Sequence, residues 1–490
     1  MRRGYYIHLR SLWLINNHIC MDNESFRAYG HQFVDWLADF FGHIEDYPVK
    51  PDTQPGDILK QLPAAPPERG ESMDDIFRDF QTVVMPGMTH WQHPGWFAYF
   101  PANNSPVSVL AELLTAGLGA QCMIWQTSPA AAELEERMME WLRDMLGLPP
   151  HMQGVIQDTA STATLCALLS AREKKTSFLA NQTGTRMPLT VYASSEAHSS
   201  IEKGVKIAGF GKENLCMIDT GSDMALLPDA LEAAIVKDID SGQIPTCVIA
   251  TLGTTSSMAM DPIEPVAAIC EKYNIWLHVD AAFAGTAAIV PELRGFMKGT
   301  EKADSFVFNP HKWMLTNFDC TAYFVKDPAI LVKTLEIHPE YLKTTADRQV
   351  KNYRDWGIQL GRRFRALKLW FVIRHYGAEG IRQMVRDHVA MAGQFASWIE
   401  ADPDFEILAP QQLSLVCFRY NPGNLNEEQL TQANKELLEK VNSSGEVFLT
   451  HTSLKGTYCI RLSVGQRTTT IEHVRKVWTL LRGERERGRD

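Results

Sequence analysis

One stretch decides the fold class of the chain: TCVIATLGTTSSMAMDPIEPVAAICEKYNIWLHVDAAFAG, residues 246–285. It begins and ends with apolar runs, 246–253 and 275–285, whose length and composition are typical of buried strands. Between them, residues 261–274 carry apolar side chains at helical spacing. A strand, a helix and a second strand in this order predict two parallel strands joined by a crossover helix. The alternation extends over residues 107–375, so we predict a large α/β domain with a mainly parallel sheet.

Two smaller regions flank this predicted domain, and a short extension precedes them. Residues 21–106 begin with a helical stripe of mostly aromatic side chains: Phe26, Tyr29, Phe33, Trp36, Leu37, Phe40, Phe41 and Ile44. This stripe either packs within its own domain or docks on a partner subunit. Residues 362–377 predict a long helix, and shorter mixed elements then predict a small α+β domain at 376–490. Residues 1–20 lack the long apolar region and cleavage site of a signal peptide, and we predict an unstructured extension.

The composition narrows the class of protein. With 490 residues, 45% of them hydrophobic and 22% charged, the chain can bury a large core. A net charge of −10 and the lack of a basic stripe argue against a nucleic-acid partner. No apolar stretch approaches the roughly 18–20 residues that cross a bilayer, so no membrane partner is expected. The 9 cysteines contain no C-x-x-C pair, which predicts reduced thiols, a cytoplasmic location and no metal site.

A lysine stands at the end of another predicted strand. The run ADSFVFNPHKW (303–313) alternates apolar residues and then reaches Lys312. Burying an unpaired ammonium costs several kcal/mol, so Lys312 is either a surface residue or a functional amine. Asp280 ends the strand of 275–285, while Thr254 and Thr255 follow the strand of 246–253. Because ligands collect at the carboxyl ends of parallel strands, these side chains are expected to face one crevice.

A buried salt bridge between Lys312 and Asp280 would explain those two residues equally well, and a third element favours a ligand. The segment GVIQDTASTATLCALLSARE (154–173) passes from an apolar run into a helix through Thr159, Ala160 and Ser161. Alone this is an ordinary N-cap; beside a lysine and an aspartate it predicts a phosphate site at a helix N-terminus. Together the three elements describe a pocket for pyridoxal 5'-phosphate, in which the lysine binds the aldehyde carbon, the aspartate keeps the pyridine nitrogen protonated and the helix holds the phosphate.

His198 adds a flat ring to this predicted pocket. It lies in YASSEAHSSIEKG (192–204), in a loop after a strand-like run. A loop histidine is usually a solvated residue. In a pyridoxal phosphate site a ring stacked on the cofactor is a common requirement, and we predict that function for His198.

Six ordered motifs resemble one known family. They are GVIQDTASTATL, SSEAHSS, ATLGTT, WLHVDAAFAG, ADSFVFNPHKW and NFDC, and the likeness runs from about Met21 to the end of the chain. Together they resemble the aromatic L-amino acid decarboxylases, which are group II pyridoxal phosphate decarboxylases of fold type I. Within that family the motifs look most similar to bacterial DOPA decarboxylase-like enzymes. The resemblance implies a transferase-like fold with a seven-stranded, mainly parallel sheet. It also implies decarboxylation of DOPA, tyrosine, tryptophan or phenylalanine to the amine and carbon dioxide.

The resemblance also implies roles for individual residues. Lys312 resembles the lysine that carries the cofactor, Asp280 the partner of the pyridine nitrogen and His198 the ring stacked on the cofactor, and all three are expected to be catalytic. The other residues expected near the cofactor are Thr159, Ala160, Ser161, Thr255, His278, Asn309 and His311. Those expected to line the aromatic substrate pocket, together with His198, are Trp91, Tyr99, Phe100 and Pro101. Tyr341, in EIHPEYLKT, resembles the proton-donating tyrosine of a mobile loop, and the family implies a homodimer with its sites at the interface.

Two departures and three alternatives stay open at this point. Ala102 stands where many animal members have threonine, and QCMIWQTSP lacks a phenylalanine that animal enzymes carry, so the preferred ring is undecided. An aromatic aldehyde synthase would share the scaffold, but such enzymes typically replace the loop tyrosine or the stacking histidine, and both Tyr341 and His198 are present. An aminotransferase would pass the amine to a keto acid. A non-enzymatic cofactor-binding protein would be expected to lose Lys312 or Tyr341 first.

Overall fold

A computed structural model describes residues 21–337 and 349–487 of the chain. The described chain divides into two compact units, one ending at His93 and the other beginning at Pro94. In the part that the model describes, no helix combines the length and the apolar character needed to cross a membrane. The predicted division at 21–106, 107–375 and 376–490 remains a prediction.

The first unit is helical and confirms the predicted aromatic helix. Its α-helices are α1 (Asn23–Gly42), α2 (Asp57–Gln61) and α3 (Met73–Asp79). The Asp22 carboxylate caps α1 by accepting the Ser25 N–H at 2.7 Å. Part of the aromatic stripe packs within this unit, since the Phe33 and Phe77 ring centroids lie 4.7 Å apart. Phe26, by contrast, is 64% exposed, which leaves the partner alternative open for the remainder of the stripe.

The second unit contains the predicted seven-stranded sheet. Its strands are β1 (Gln153–Gln157), β2 (Leu189–Ser194), β3 (Leu215–Ile218), β4 (Ile244–Thr251), β5 (Trp276–Asp280), β6 (Ser305–Phe308) and β7 (Thr321–Val325). Their order across the sheet is β1-β7-β6-β5-β4-β2-β3. The pairs from β3 to β6 are parallel, whereas β7 runs antiparallel to both neighbours. The mainly parallel α/β fold predicted from residues 246–285 is therefore confirmed.

Helices cover both faces of this sheet. They are α4 (Pro106–Leu118), α5 (Pro129–Leu146), α6 (Ala160–Lys175), α7 (Ala180–Thr183), α8 (Ser200–Ile207), α9 (Pro228–Asp240), α10 (Ile263–Lys272), α11 (Pro310–Trp313), α12 (Pro328–Leu335) and α13 (Arg365–Ala401). Leu277 and Val279 of β5 pack into the core formed with α5, α9 and α10. Trp276 packs on the other face with α6 and α8. Because side chains alternate along a strand, His278 and Asp280 also face the α6 side.

A second, antiparallel sheet forms the predicted small α+β region. Its strands are β8 (Phe405–Ile407), β9 (Leu415–Tyr420), β10 (Thr450–Leu454) and β11 (Thr457–Ser463), in the order β10-β11-β9-β8. Helices α14 (Glu427–Ser443) and α15 (Ile471–Arg487) follow in the chain. The helix predicted at 362–377 continues further, because α13 is interrupted but not ended by Gly377, whose φ is 66°. A positive φ is easy for glycine, so the chain can kink there and resume a helix.

Candidate active site

The carboxyl ends of five strands meet at one edge of the large sheet. The register pairs Thr251 of β4 with Asp280 of β5, and Asp280 with Val307 of β6, so these three strands end side by side. Strand β2 is parallel to β4 and leads into the loop of His198. Strand β1 has the same direction as β6, since β7 runs antiparallel to both, and it leads into α6. The segments predicted to hold the cofactor therefore leave the sheet at the same edge.

Lys312 lies just beyond β6 in a single helical turn. The strand ends at Phe308 because Pro310 has no N–H to continue the ladder, while its fixed φ suits the first position of a helix. The Lys312 N–H donates to the carbonyl of Asn309 at 2.9 Å. The Lys312 Nζ lies 5.5 Å from the centroid of the Phe100 ring. The predicted strand thus ends before Lys312, which lies in a short helical turn.

Lys312 and Asp280 act on each other electrostatically. Burial lowers the pKa of the Lys312 amine, and the Asp280 charge opposes this lowering. Burial raises the pKa of the Asp280 carboxyl, and the Lys312 charge and the Ala282 N–H, which donates to Oδ1 at 3.0 Å, oppose this rise. A buried carboxylate with one backbone donor and one amine is suited to hold a cationic partner. The two groups are therefore close enough for each charge to oppose the effect of burial on the other group's pKa.

His198 lies at the same edge, and the charges of Lys312 and Asp280 both affect the pKa of its imidazole. Burial lowers the pKa of its imidazole, Lys312 adds to that effect and Asp280 opposes it. The Ser200 N–H donates to Nδ1 at 3.1 Å, so Nδ1 carries no proton. In the neutral ring the proton is therefore on Nε2. The Ser200 hydroxyl lies 2.8 Å from the same Nδ1 and helps to fix the ring.

The N-terminus of α6 offers the predicted anion site. Thr159 is the N-cap, and its side chain accepts the Thr162 N–H at 3.4 Å. The N–H groups of the first turn, at Ala160 and Ser161, have no partner within a regular helix and are available for an anion. Asn309 borders this end: the Thr321 hydroxyl donates to its Oδ1 at 2.8 Å and lies 3.0 Å from the Asp158 carbonyl oxygen. With Oδ1 used in this bond, the amide N–H groups of Asn309 are the part of its side chain that can donate to an anion.

Three further predicted cofactor residues have protein partners of their own. The His278 ring nitrogens lie 3.3 Å from the Thr164 hydroxyl and 2.8 Å from the Ser305 hydroxyl. The His311 Nδ1 accepts the Cys320 N–H at 3.0 Å. The Thr255 carbonyl accepts a bond of 2.6 Å from Arg461. Direct contact of these residues with a cofactor stays a prediction.

The predicted pocket residues within 91–101 differ in exposure, and the boundary between the two units falls among them. Phe100 is buried in a column of parallel rings, with centroids 4.2 Å from Phe283 and, from Phe283, 4.5 Å to Trp313. Pro101 is buried beside it, whereas Tyr99 is 50% exposed. Trp91 belongs to the first unit and is 37% exposed. Tyr341 lies outside the described residues, so its predicted role as proton donor remains a prediction.

Comparison with known proteins identifies the family. Residues 55–421 match the model described as the pyridoxal-dependent decarboxylase conserved domain. The chain belongs to this family. A phenylacetaldehyde synthase of Arabidopsis thaliana is 42% identical over 95% of this chain and 96% of its own length. Tyrosine decarboxylase 4 of Petroselinum crispum is 43% identical over 94% of this chain and 93% of its own length.

Solved structures agree with this assignment. A structure of Oryza sativa TDC with PLP and tryptamine is 37% identical, covers 94% of this chain and 98% of its own, and superposes with a TM-score of 0.91. The resemblance to the aromatic amino acid decarboxylases is confirmed, as are fold type I and the predicted class of pyridoxal phosphate-dependent carboxy-lyases. These relatives are plant proteins, and the closer look to bacterial enzymes stays a prediction.

The residues at the sheet edge fit the cofactor of this family. An amine whose pKa is lowered by burial is a nucleophile for an aldehyde, and Lys312 supplies it. Asp280 supplies a carboxylate for a protonated pyridine nitrogen, and the first turn of α6 supplies N–H donors for a phosphate. Pyridoxal phosphate needs these three groups together. The decarboxylase chain therefore provides a matching donor set at one edge.

Two residues that tie this site together were missed in the sequence. Asn103 is fully buried and donates to the Lys312 carbonyl at 2.9 Å. Arg461 of β11 is also buried; it donates to the Thr255 carbonyl and, at 3.0 Å, to the Ser256 carbonyl. Neither lies in the six motifs quoted from the sequence, and both bind backbone carbonyl groups. A polar Asn-Asn pair inside the apolar context of FAYFPANNSPV was the one available signal for Asn103.

Proposed function

We propose that this chain removes the α-carboxyl group of an aromatic L-amino acid and releases the amine and carbon dioxide. One observation carries the proposal: Lys312 and Asp280 lie at the sheet edge where α6 begins, and each charge opposes the shift that burial causes in the other group's pKa. A structural salt bridge alone would not require a helix N-terminus and a histidine ring at the same edge. Lys312, Asp280, His198 and Tyr341 are the residues that we assign to catalysis.

The proposed mechanism assigns one task to each residue. Bound pyridoxal phosphate supplies an electron sink for the electron pair that remains when carbon dioxide leaves. Lys312 would hold the cofactor through Nζ, and the substrate amine would bind beside it. Asp280 would keep a proton on the pyridine nitrogen of the cofactor, because its charge favours a cation there. His198 would pack its ring against the cofactor, with its proton on Nε2.

The remaining residues bind the phosphate and the substrate. Thr159, Ala160 and Ser161 would bind the phosphate through the first turn of α6, and Asn309 would contribute amide N–H groups. Tyr341 then donates its phenolic proton to the α-carbon. The substrate ring would contact the segment of Tyr99, Phe100 and Pro101. The printed names of the relatives, a tyrosine decarboxylase, a phenylacetaldehyde synthase and a structure with tryptamine, support an aromatic side chain.

Aromatic aldehyde synthesis is the second candidate function. The similarity to a phenylacetaldehyde synthase supports it, at 42% identity over nearly the whole chain. It would consume dioxygen and water and release aldehyde, ammonia and hydrogen peroxide together with carbon dioxide. The presence of Tyr341 and His198 favours simple decarboxylation.

We further propose that the chain works as a homodimer with its sites at the interface. Helix α4 supports this, because four of its leucines project from the second unit: Leu110, Leu113, Leu114 and Leu118 are 50%, 54%, 50% and 65% exposed. Leucines at this spacing form one apolar face of a helix, and such patches mark protein interfaces. A second copy of the chain is the occupant that we propose for this face.

A cytoplasmic location is proposed on the chemistry of the thiols. Eight cysteines lie in the described residues, and none of these eight forms a disulfide. Most are buried in the core, where burial raises the pKa of thiols such as Cys166, to about 12. Unpaired thiols in this number are usual in a reducing compartment.

One experiment tests the proposed function. Purified protein with pyridoxal phosphate is incubated separately with tyrosine, DOPA, tryptophan and phenylalanine, and amine, aldehyde, peroxide and carbon dioxide are measured. We expect carbon dioxide and amine in equal amounts from at least one substrate, and none from a Lys312→Ala variant. Transfer of the amine to an added keto acid without carbon dioxide would instead indicate an aminotransferase. Binding without any product would indicate a non-enzymatic protein.

A further inference from the structure

Asn103 joins the lysine turn to the C-terminal part of the second unit. Its side chain is fully buried. The amide Nδ2 donates to the Lys312 carbonyl at 2.9 Å and to the Gly465 carbonyl at 2.5 Å. The amide Oδ1 accepts the Arg467 N–H at 3.1 Å. All three partners are backbone groups, so the bridge depends on Asn103 and not on the identity of its partners.

The chemistry of these partners fixes the orientation of the amide. Two carbonyl oxygens can only accept, and the Arg467 N–H can only donate, so Nδ2 and Oδ1 cannot exchange places. Both hydrogens of the NH2 group are used, one for each carbonyl. An aspartate of the same shape could not donate to either carbonyl, and an alanine could make none of the three bonds. Among the standard side chains of this size, asparagine alone satisfies the site.

The bridge acts on the turn that carries Lys312. The N–H of Lys312 donates to the Asn309 carbonyl, so the turn is fixed at that side by the chain itself. The carbonyl of Lys312 lies in a helix of only four residues, which is too short to supply a partner further along. Asn103 supplies that partner. Two residues later, the Ser105 hydroxyl donates to the Leu315 carbonyl at 2.8 Å and fixes the end of the same segment.

We propose that Asn103 is a positioning residue for Lys312, which sets the direction of the lysine side chain toward Asp280 by holding the Lys312 carbonyl. This rests on the proposed function of Lys312 as the residue that binds the cofactor. Lys312 must occupy one place when it holds the cofactor and another when the substrate amine has replaced it. A main chain held at both ends lets the side chain move while the turn stays in place. Geometry of this kind is costly to lose, because a misplacement of about 1 Å lowers rates roughly 100-fold.

The chain offers a matched control in Asn434. This residue is also fully buried, and it makes the same set of bonds within the small sheet region. Its Nδ2 donates to the carbonyls of Tyr420 and Leu430, at 2.8 and 2.9 Å, and its Oδ1 accepts the Tyr420 N–H at 2.8 Å. Asn103→Ala and Asn434→Ala therefore remove the same bonds and create similar cavities. Only the first removes a bond to the lysine turn.

The test measures the lysine itself as well as the rate. The visible absorbance of the lysine-bound cofactor is titrated with pH in both holoenzyme variants and in the parent. We expect the midpoint to move by about half a pH unit or more in Asn103→Ala, because the charges around Nζ change with its direction. We expect kcat to fall about 10-fold or more with a smaller change in KM. In Asn434→Ala, the midpoint and kcat should match those of the parent, whatever its melting temperature.

Several outcomes decide the proposal. If Asn103→Ala keeps the parent midpoint and kcat, or if Asn434→Ala changes them equally, Asn103 only stabilises the fold. If Asn103→Ala does not fold, Asn103→Ser, which keeps one donor, is titrated in its place and is expected to show a smaller shift of the same sign. If the parent shows no lysine-bound absorbance and forms no product, or if Lys312→Ala is as active as the parent, the proposed function of Lys312 itself has failed. These two failures are therefore distinguishable.

Discussion

Asp280 shows how a single buried carboxylate can serve the chemistry. It is 4% exposed, and burial alone raises the pKa of its carboxyl. The Lys312 charge and one backbone N–H counteract that rise and favour the anion. In the proposed site, Asp280 would stabilise a proton on the pyridine nitrogen of bound pyridoxal phosphate. The charge of this side chain, and not its shape, is thus the property that the proposed reaction requires.

The first prediction concerns this charge. Asp280→Asn keeps the size of the side chain and removes the anion, so the electron sink is weakened while the pocket keeps its form. We expect the barrier to decarboxylation to rise by about 3 kcal/mol, which lowers kcat roughly 100-fold. The measurement is single-turnover carbon dioxide release from the holoenzyme. A rate near that of the parent would make Asp280 a structural residue.

The second prediction separates the two candidate functions at Tyr341. Tyr341→Phe removes the phenolic proton and keeps almost all of the ring volume, so protonation of the α-carbon is slowed. Dioxygen would then compete with the proton for the electron pair left when carbon dioxide departs. The products would shift from amine toward aldehyde, ammonia and hydrogen peroxide. Peroxide and amine are measured together on the same sample. Amine formation at the parent rate without peroxide would remove Tyr341 as the donor and make His198 the next candidate.

At the scale of elements, the phosphate is expected to depend on the start of one helix. Helix α6 begins at Ala160 directly after β1, and its N-cap Thr159 uses its side chain on the Thr162 N–H. The N–H groups of the first turn, together with the helix dipole, favour an anion at this place. Changes in the cap should therefore affect both stability and cofactor affinity.

The third prediction compares two N-caps. Thr159→Ala should cost about 1 kcal/mol of stability and, in addition, weaken pyridoxal phosphate binding about fivefold. Asn426→Ala is the control, because Asn426 caps α14 in the same way, accepting the Gln429 N–H at 2.9 Å. It should cost a similar stability and leave cofactor affinity unchanged. Cofactor affinity is measured by titrating the apoenzyme, and equal affinities in both variants would argue against a phosphate at α6.

The sequence predicted elements better than their connections. Apolar runs and strand-end residues marked β4, β5 and β6, and the family motifs indicated that these strands end at one site. The antiparallel β7 left no such mark, because its burial on both faces produces the same apolar run as a parallel strand. The extension of α13 beyond Gly377 was missed because glycine usually ends a helix. Asn103 and Arg461 were missed because bonds to backbone groups leave no pattern in the partners' side chains.

At the scale of the whole molecule, α4 connects assembly and the site. The helix starts at Pro106, immediately after the segment of Asn103 and Ser105, and presents exposed leucines along its length. Ser105 caps the helix and also donates to the Leu315 carbonyl. A subunit bound to α4 would therefore contact an element that begins next to the lysine turn.

The fourth prediction tests the proposed dimer. Leu113→Glu and Leu114→Glu place charges on the α4 face, and burying them against a second copy would be unfavourable. We expect sedimentation to change from dimer to monomer, with loss of activity. Ile207→Glu is the control, because Ile207 is an exposed apolar residue, 63% accessible, on α8. A parent protein that is an active monomer would overturn the proposal.

The fifth prediction concerns pH and the stability of the apoenzyme. Burial lowers the pKa of His278 and His311 to about 3 and that of His388 to about 4, from an ordinary value of 6.5. Because the folded state disfavours the protonated rings, their contribution to the free energy of unfolding is complete above pH 6.5. That free energy falls as the pH drops toward 4. At pH 5, each of the three histidines should lower the free energy of unfolding by about 2 kcal/mol relative to its value above pH 6.5.

The measurement is denaturant unfolding between pH 7 and pH 4.5, with His388→Gln as the comparison. Glutamine can still accept the Trp313 indole N–H, which lies 2.8 Å from the His388 ring. The variant should take up one proton fewer on unfolding, so its stability should change by about 1.4 kcal/mol less per pH unit over this range. An unchanged slope would mean that His388 is already protonated in the folded chain.

The place of β1 in the sheet has a consequence for how the enzyme becomes active. In the described sheet β1 is an edge strand bonded to β7, with Gln153 opposite Val325. The first strand of this sheet in the chain therefore pairs only with the last one. The start of α6 follows β1 and can take its position beside Lys312 only after that pairing. Contacts of such sequence separation form late, because a long loop must close first. A growing chain thus completes its anion site only after β7, which ends at Val325, has been made, and the cofactor would enter a sheet whose strands are already paired.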